Sequence, residues 1–153
     1  MGDTDFAPAT ENYAERVRES FSKQGMMSHM GAEVTEVRPG YCEVVLPHRP
    51  EILQQHGFFH GGALASIVDT AGGYAAFSLF DADDGILTVE FKINCLAPAR
   101  GEKLLARGEV VKLGRTLTVT KGEVIAVEDG NETVCGLMQQ TLMRITGRDS
   151  VKG

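Results

Sequence analysis

QQHGFFHGGALASIVDTAGGYAAFSLF, residues Gln54 to Phe80, contains a helical segment with almost no solvent face. From Gly61 onward Ala63, Leu64, Ile67, Val68, Ala71, Tyr74, Ala75, Phe77 and Leu79 spread apolar side chains around every side of a 3.6-residue period. A helix that is hydrophobic all round must be buried, so the rest of the chain has to enclose it. One carboxylate, Asp69, interrupts the apolar run. Its helical neighbours at i±3 and i±4 are Ala65, Ser66, Gly72 and Gly73, and none is a cation. Burying an ionised carboxylate without a partner is costly, and such placements mark chemical sites.

Outward from this helix the chain reads as strands. Leu87–Leu96, Lys103–Leu113, Thr116–Glu128 and Thr133–Ile145 are long β-type runs, and in the first Val89, Phe91, Ile93 and Cys95 alternate with Thr88, Glu90, Lys92 and Asn94. That period of two is a strand signal. Leu113-Gly114-Arg115 and Glu128-Asp129-Gly130-Asn131 supply turns between them. Upstream, Gly31–Arg38 and Tyr41–Pro47 flank Pro39-Gly40 as a hairpin, and His48–Phe59 is expected to be a loop. A first helix is expected over Thr10–Gln24, with Thr10 as N-cap, Gly25 as stop and a stripe of Tyr13, Ala14, Val17 and Phe21. Residues 1–9 are expected to be disordered, and Asp81–Gly85 to form a solvated turn. One buried helix and about six long, mostly antiparallel strands predict an α+β fold, a curved sheet wrapped around the helix. We divide the chain into a tail and helix over 1–25 and a main domain over 26–153, as one domain overall.

Bulk properties restrict function. At 153 residues the chain is long enough for one real core. The net charge of −6 and the absence of basic clusters argue against nucleic acid. No apolar run is long enough to span a membrane, and the polar N-terminus lacks a signal-peptide core. Cys42, Cys95 and Cys135 are odd in number and far apart, the pattern of reduced thiols in a cytoplasmic protein.

Two features of the quoted stretch combine into a site. His60-Gly61-Gly62 opens the helix, where unsatisfied N–H groups make a place for a negative oxygen. With Asp69 nine residues after His60, base and oxyanion donors together read as acyl-group chemistry. Gly61 and Asp69, however, are separated by about 12 Å along a helix, too far to serve one carbonyl within a single chain. The expected solution is a two-fold dimer with paired helices and two composite sites. Gly72 and Gly73 serve either close approach or ordinary packing. His56 and His60 show no HExxH pattern, and Lys92 stands where a calcium loop starting at Asp81 would need its final glutamate, so no metal is expected. Arg115, in its turn with Gly114, is either a solvated surface residue or a phosphate ligand, with Lys112 and Lys121 as helpers.

The quoted stretch, together with TVEFKINCLAPARGEKLLARGEVVKLGRTLTVTKGEV (Thr88–Val124), resembles the hotdog-fold thioesterases of the PaaI type, the phenylacetate-degradation acyl-CoA thioesterases, over about residues 26–146. The resemblance implies a hotdog fold, homodimers often paired into homotetramers, and hydrolysis of an aromatic or short- to medium-chain acyl-CoA without a cofactor. It implies that Asp69 acts as general base or nucleophile, that the Gly61 N–H polarises the thioester carbonyl, that His60 orients neighbouring groups, and that Thr88 places the water. Gln54 stands where many relatives carry Asn. Substrate contacts are expected from Gly62, Phe59, Gly114 and Arg115, with an acyl slot lined by Phe58, Phe59, Phe77 or Leu79. Two other classes share the fold: acyl-thioester hydratases or dehydratases, and non-catalytic acyl-CoA carriers or sensors.

Overall fold

A computed structural model of the chain describes residues 5–153. In chain order the elements are α1 (Tyr13–Ser22), α2 (Gly25–Met30), β1 (Glu33–Arg38), β2 (Tyr41–Pro47), α3 (Gly61–Phe77), β3 (Gly85–Cys95), β4 (Lys103–Lys112), β5 (Leu117–Glu128) and β6 (Asn131–Ile145), with single 3₁₀ turns at Pro50–Ile52 and Asp149–Val151. The six strands form one antiparallel sheet in the order β1-β2-β4-β5-β6-β3. The sheet curves around α3, which is the hotdog arrangement expected from the sequence. Among the described residues no helix is long and apolar enough to cross a membrane.

The seating of α3 depends on two glycines facing each other in the sheet. Gly108 of β4 pairs with Gly122 of β5. A Cβ at Gly108 would lie 2.4 Å from the Ala71 carbonyl carbon and from the Gly72 nitrogen, and one at Gly122 would lie 2.5 Å from Val68. The helix backbone therefore rests directly on the strands, closer than any side chain allows. Ile67, Val68, Ala71 and Ala75 are fully buried beneath it, against Val44, Leu46, Leu104, Ala106 and Val124. Burial of side chains this size contributes about 1.5–3 kcal/mol each for the larger ones.

The ends of the elements differ from expectation in ways that packing explains. The first helix begins at Tyr13, and Asn12 occupies the N-cap position. Thr10 instead accepts a bond from Arg16. Gly25 does not simply end this helix but opens α2, because Met27 and Met30 recur one turn apart and are buried. α3 ends at Phe77, three residues early: the Ser78 hydroxyl donates to the Ala75 carbonyl at 2.7 Å and accepts the Gly40 N–H at 2.8 Å. Arg16 then donates to the carbonyls of Phe80 (2.9 Å) and Asp81 (2.8 Å) just beyond. Asp84, expected in a solvated turn, is buried and paired with Arg144. Of the expected disordered start, residues 1–4 lie outside the described residues; Phe6 packs on Gly40 and the core. The turn Asp129-Gly130 has positive φ at both residues (50° and 78°), the geometry that lets two-residue hairpins follow strand twist.

Candidate active site

Asp69 projects from the middle of α3 toward β3 and β6. Its Oδ1 accepts a hydrogen bond from Thr88 Oγ1 of β3 at 2.7 Å and a second from Gln140 Nε2 of β6. The same Nε2 donates to the Asp69 main-chain carbonyl at 3.1 Å. Oδ2 accepts no bond from any described residue, and Asp69 lines a cavity of about 310 Å³. Burial pushes its carboxyl above the ordinary carboxylate range, while the bonds from Thr88 and Gln140 pull it partly back. The result is a carboxylate with one oxygen anchored and one open, held closer to neutrality than a surface aspartate.

Thr88 reaches Asp69 because strict alternation fails at one point. Thr88 pairs with Leu142 and Phe91 with Gln140, both on the inner face, although the two residues are three apart. The register shift between Thr88 and Glu90 is a β-bulge that adds one residue, and it turns Thr88 toward the helix. The period of two predicts the opposite face.

The start of α3 is organised by His60. Its main chain is extended (φ −64°, ψ 139°), and its Nδ1 accepts the Gly62 N–H at 2.8 Å. That bond assigns the ring proton to Nε2. The N–H groups of Ala63 and Leu64 go to the His60 carbonyl. Gly62 is thereby removed as a free donor, and the Gly61 N–H is the helix-start donor left without an acceptor among the described residues. Gly61 lines a second cavity, of about 430 Å³, with Gln54, Phe58, Phe59, Leu64 and Cys95. Gln54 Oε1 accepts the His56 N–H, which leaves its Nε2 free of any described acceptor. Phe59 is almost wholly buried behind this cavity, and its ring meets His48 edge-on at 5.7 Å. Arg100 covers the Phe58 ring at 4.6 Å.

The structure thus groups His60, Gly61, Gly62, Gln54 and Phe59 at one end of α3, and Asp69 with Thr88 in its middle. Gly61 and Asp69 line different cavities. Phe77 and Leu79 are not part of either: both are in the core, Phe77 stacked edge-on with Tyr74 and Phe80. Arg115 is exposed in the β4–β5 turn, where Gly114 is required because a Cβ would meet the Leu117 carbonyl oxygen at 2.0 Å. Lys121 is engaged by Glu109 at 2.9 Å. The Asp69 cavity is lined by Ser20 of α1 and by Gln24, which precedes α2, both bonded to the Tyr74 hydroxyl (3.1 and 2.9 Å), and by Val151–Gly153. The sequence singles out neither Gln140 nor this wall. A signal for Gln140 existed: in β6 it shares its face with Met138 and Leu142, a polar side chain at a core position.

Comparisons with known proteins identify the family and the fold. The family model described as Thioesterase superfamily matches residues 56–133. The crystal structure of a thioesterase family protein from Silicibacter pomeroyi is 46% identical, covers 88% of this chain and 99% of its own, and superposes with a TM-score of 0.87. The E. coli PaaI protein from the phenylacetic acid degradation operon shares the fold with a TM-score of 0.79 at 22% identity, over 89% of this chain and 95% of its own. The proofreading thioesterase EntH of Klebsiella pneumoniae is 26% identical over 61% of this chain and 69% of its own. With its buried helix, curved antiparallel sheet and matched core segment, the chain belongs to the thioesterase superfamily and has the hotdog fold.

Proposed function

We propose that the protein hydrolyses the thioester of an aromatic or short- to medium-chain acyl-CoA, in a site completed by a second copy of the chain. The observation that carries this reading is the half-buried Asp69 carboxylate, with Oδ1 bonded twice and Oδ2 open to a cavity, on the helix whose first N–H has no acceptor among the described residues.

A second copy supplies what one chain lacks. β3 is an eleven-residue edge strand, and Leu87, Val89 and Phe91 on it are 52%, 54% and 44% exposed. A long apolar edge invites pairing with another strand. Two β3 strands related by a two-fold axis near Phe91 run antiparallel, so the Thr88 region of one copy faces the Cys95 region of the other. Thr88 marks Asp69, and Cys95 lies beside Gly61. The two half-sites then adjoin. Pairing of such dimers into tetramers belongs to the same reading.

In that site the Gly61 N–H, with the Gln54 amide beside it, donates to the thioester carbonyl oxygen. Negative charge developing there is stabilised by a fixed donor at a helix N-terminus. Asp69 Oδ2 of the other copy takes a proton from water, and the resulting hydroxide adds to the carbonyl carbon. Collapse of the tetrahedral species breaks the C–S bond, and the thiolate of CoA leaves with the proton from Asp69. Thr88 keeps Oδ1 occupied throughout, His60 keeps Gly62 occupied, and Arg115 binds a CoA phosphate at the rim. The acyl group fills the Asp69 cavity. Free-thiol release from a panel of CoA esters, by wild type and Asp69→Asn, tests this. Turnover by the wild type and its loss in the variant are expected; equal rates would remove Asp69 from the chemistry.

A further inference from the structure

Gln140 lies outside everything assigned so far except as a neighbour of Asp69. It is 1% exposed, and a buried primary amide needs partners at both ends. Its Oε1 accepts from Thr120 Oγ1 of β5 at 2.8 Å, and its Nε2 serves Asp69 twice, at the main-chain carbonyl and at Oδ1. Thr120 is itself fully buried, so its hydroxyl determines which end of the amide faces the carboxylate. The space for this amide exists because residue 72 is glycine. A Cβ there would stand 2.2 Å from Gln140 Oε1 and 2.8 Å from Thr120 Oγ1. A helix, two interior strands and an edge strand therefore converge on one carboxylate oxygen.

Resting on the hydrolytic reading above, we infer that Gln140 is a positioning residue of the reaction: backed by Thr120, it fixes Asp69 Oδ1 and presents Oδ2 as the oxygen that handles the proton. It touches no substrate atom. A donor to the charged form of a carboxyl favours ionisation, so the amide also keeps Asp69 usable as a base despite burial. The other charged or titratable side chains around the Asp69 cavity are Lys23, just after α1, Tyr74 of α3 and Lys152 of the C-terminal segment, and none bonds to the carboxylate. Inner-face positions of β5 and β6 beside it carry Thr118, Thr120, Gln140 and Leu142, none of which is charged.

The test titrates the Asp69 carboxyl carbon by ¹³C NMR in wild type, Gln140→Leu and Thr120→Val, alongside the pH profile of kcat/KM on a CoA ester. Losing one charge-assisted bond moves the midpoint, and the acidic limb of the profile, upward by about one pH unit in Gln140→Leu. Thr120→Val, nearly isosteric and two bonds removed from the carboxylate, produces a smaller shift in the same direction. A glutamine with a merely structural role lowers thermal stability and leaves the midpoint in place. An unmoved midpoint in Gln140→Leu overturns the inference, and where that variant does not fold, an unmoved midpoint in Thr120→Val does so. A wild type that titrates as described but turns over no CoA ester refutes the hydrolytic reading instead, and leaves the hold of Gln140 on Asp69 standing.

Discussion

Gly108→Ala tests whether the helix must rest directly on the sheet. The added methyl meets the Ala71 carbonyl carbon and the Gly72 nitrogen at 2.4 Å, and both are backbone atoms inside a helix, which cannot rotate aside as a side chain end can. Ordinary van der Waals contact begins at 3.4 Å, so α3 has to retreat by about 1 Å. Overpacking of this kind costs about 1–3 kcal/mol, occasionally more. Opening a gap along a buried interface forfeits a quarter to a half of each dispersion contact across it, which brings the total to about 3–5 kcal/mol. Replacing a strand glycine returns about 0.5–1 kcal/mol of backbone entropy. A net loss of about 3 kcal/mol lowers Tm by roughly 6–12 °C for a domain of this size. The same retreat draws Asp69 from Thr88 and Gln140, and a misplacement of about 1 Å costs on the order of a hundredfold in rate. Calorimetry at fixed protein concentration, because assembly contributes to Tm, and thioester turnover read the two effects. A Gly108→Ala protein with Tm within 2 °C of wild type and full activity would refute the reasoning.

Other consequences follow from single positions. Gly73→Ala places a methyl where nothing lies within 4 Å, in the wall of the Asp69 cavity; stability rises by about 1 kcal/mol from helix propensity, while turnover of bulky acyl groups falls more than that of acetyl. Asp69→Asn abolishes turnover yet does not destabilise the protein at neutral pH. The sign follows from burial: a carboxyl raised in the folded state binds its proton more tightly there than in the unfolded chain, so its contribution to stability falls as pH rises through the window between the ordinary and the raised value. Asparagine removes that loss, and a Tm for the variant below that of wild type at pH 7 would contradict it. Arg115→Ala raises KM for CoA esters several-fold with little change in kcat, and leaves the corresponding pantetheine thioesters, which lack the nucleotide phosphates, unaffected; equal effects on both would exclude phosphate binding by Arg115.

Much of the fold was legible because its signals are local and mutually consistent. The absence of any polar stripe between Gly61 and Phe80 shows that α3 is buried, and alternating side chains with Gly-containing turns mark the strands. What stayed hidden depends on contacts between elements. α2 is six residues long, and its buried Met27 and Met30 gain their meaning only from the core they enter. The Thr88 bulge shifts a face that periodicity assigns the other way, because a bulge reflects the partner strand's register and not the strand's own composition. Asp69 and the HGG turn stood out as chemically odd in their surroundings. Gln140 stood out less: it alternates with Met138 and Leu142, but β6 also carries Gln139 on the other face with Leu137 and Met143, and only the fold shows which face is buried. Gly108 and Gly122 read as neutral strand glycines until α3 is laid across them.

The composite nature of the site admits a direct measurement. Gly61 is the first residue of α3, with open space around it and an extended residue before it, so Gly61→Pro removes the N–H donor at a position where proline is well tolerated. Paired with Asp69→Asn, it gives two inactive chains lacking different halves of the machinery. Refolding the two together and assaying thioester hydrolysis is expected to restore activity, because mixed dimers rebuild one complete site from the intact Asp69 of one copy and the intact Gly61 of the other. A mixture that forms mixed dimers and remains as inactive as its parents would contradict the account.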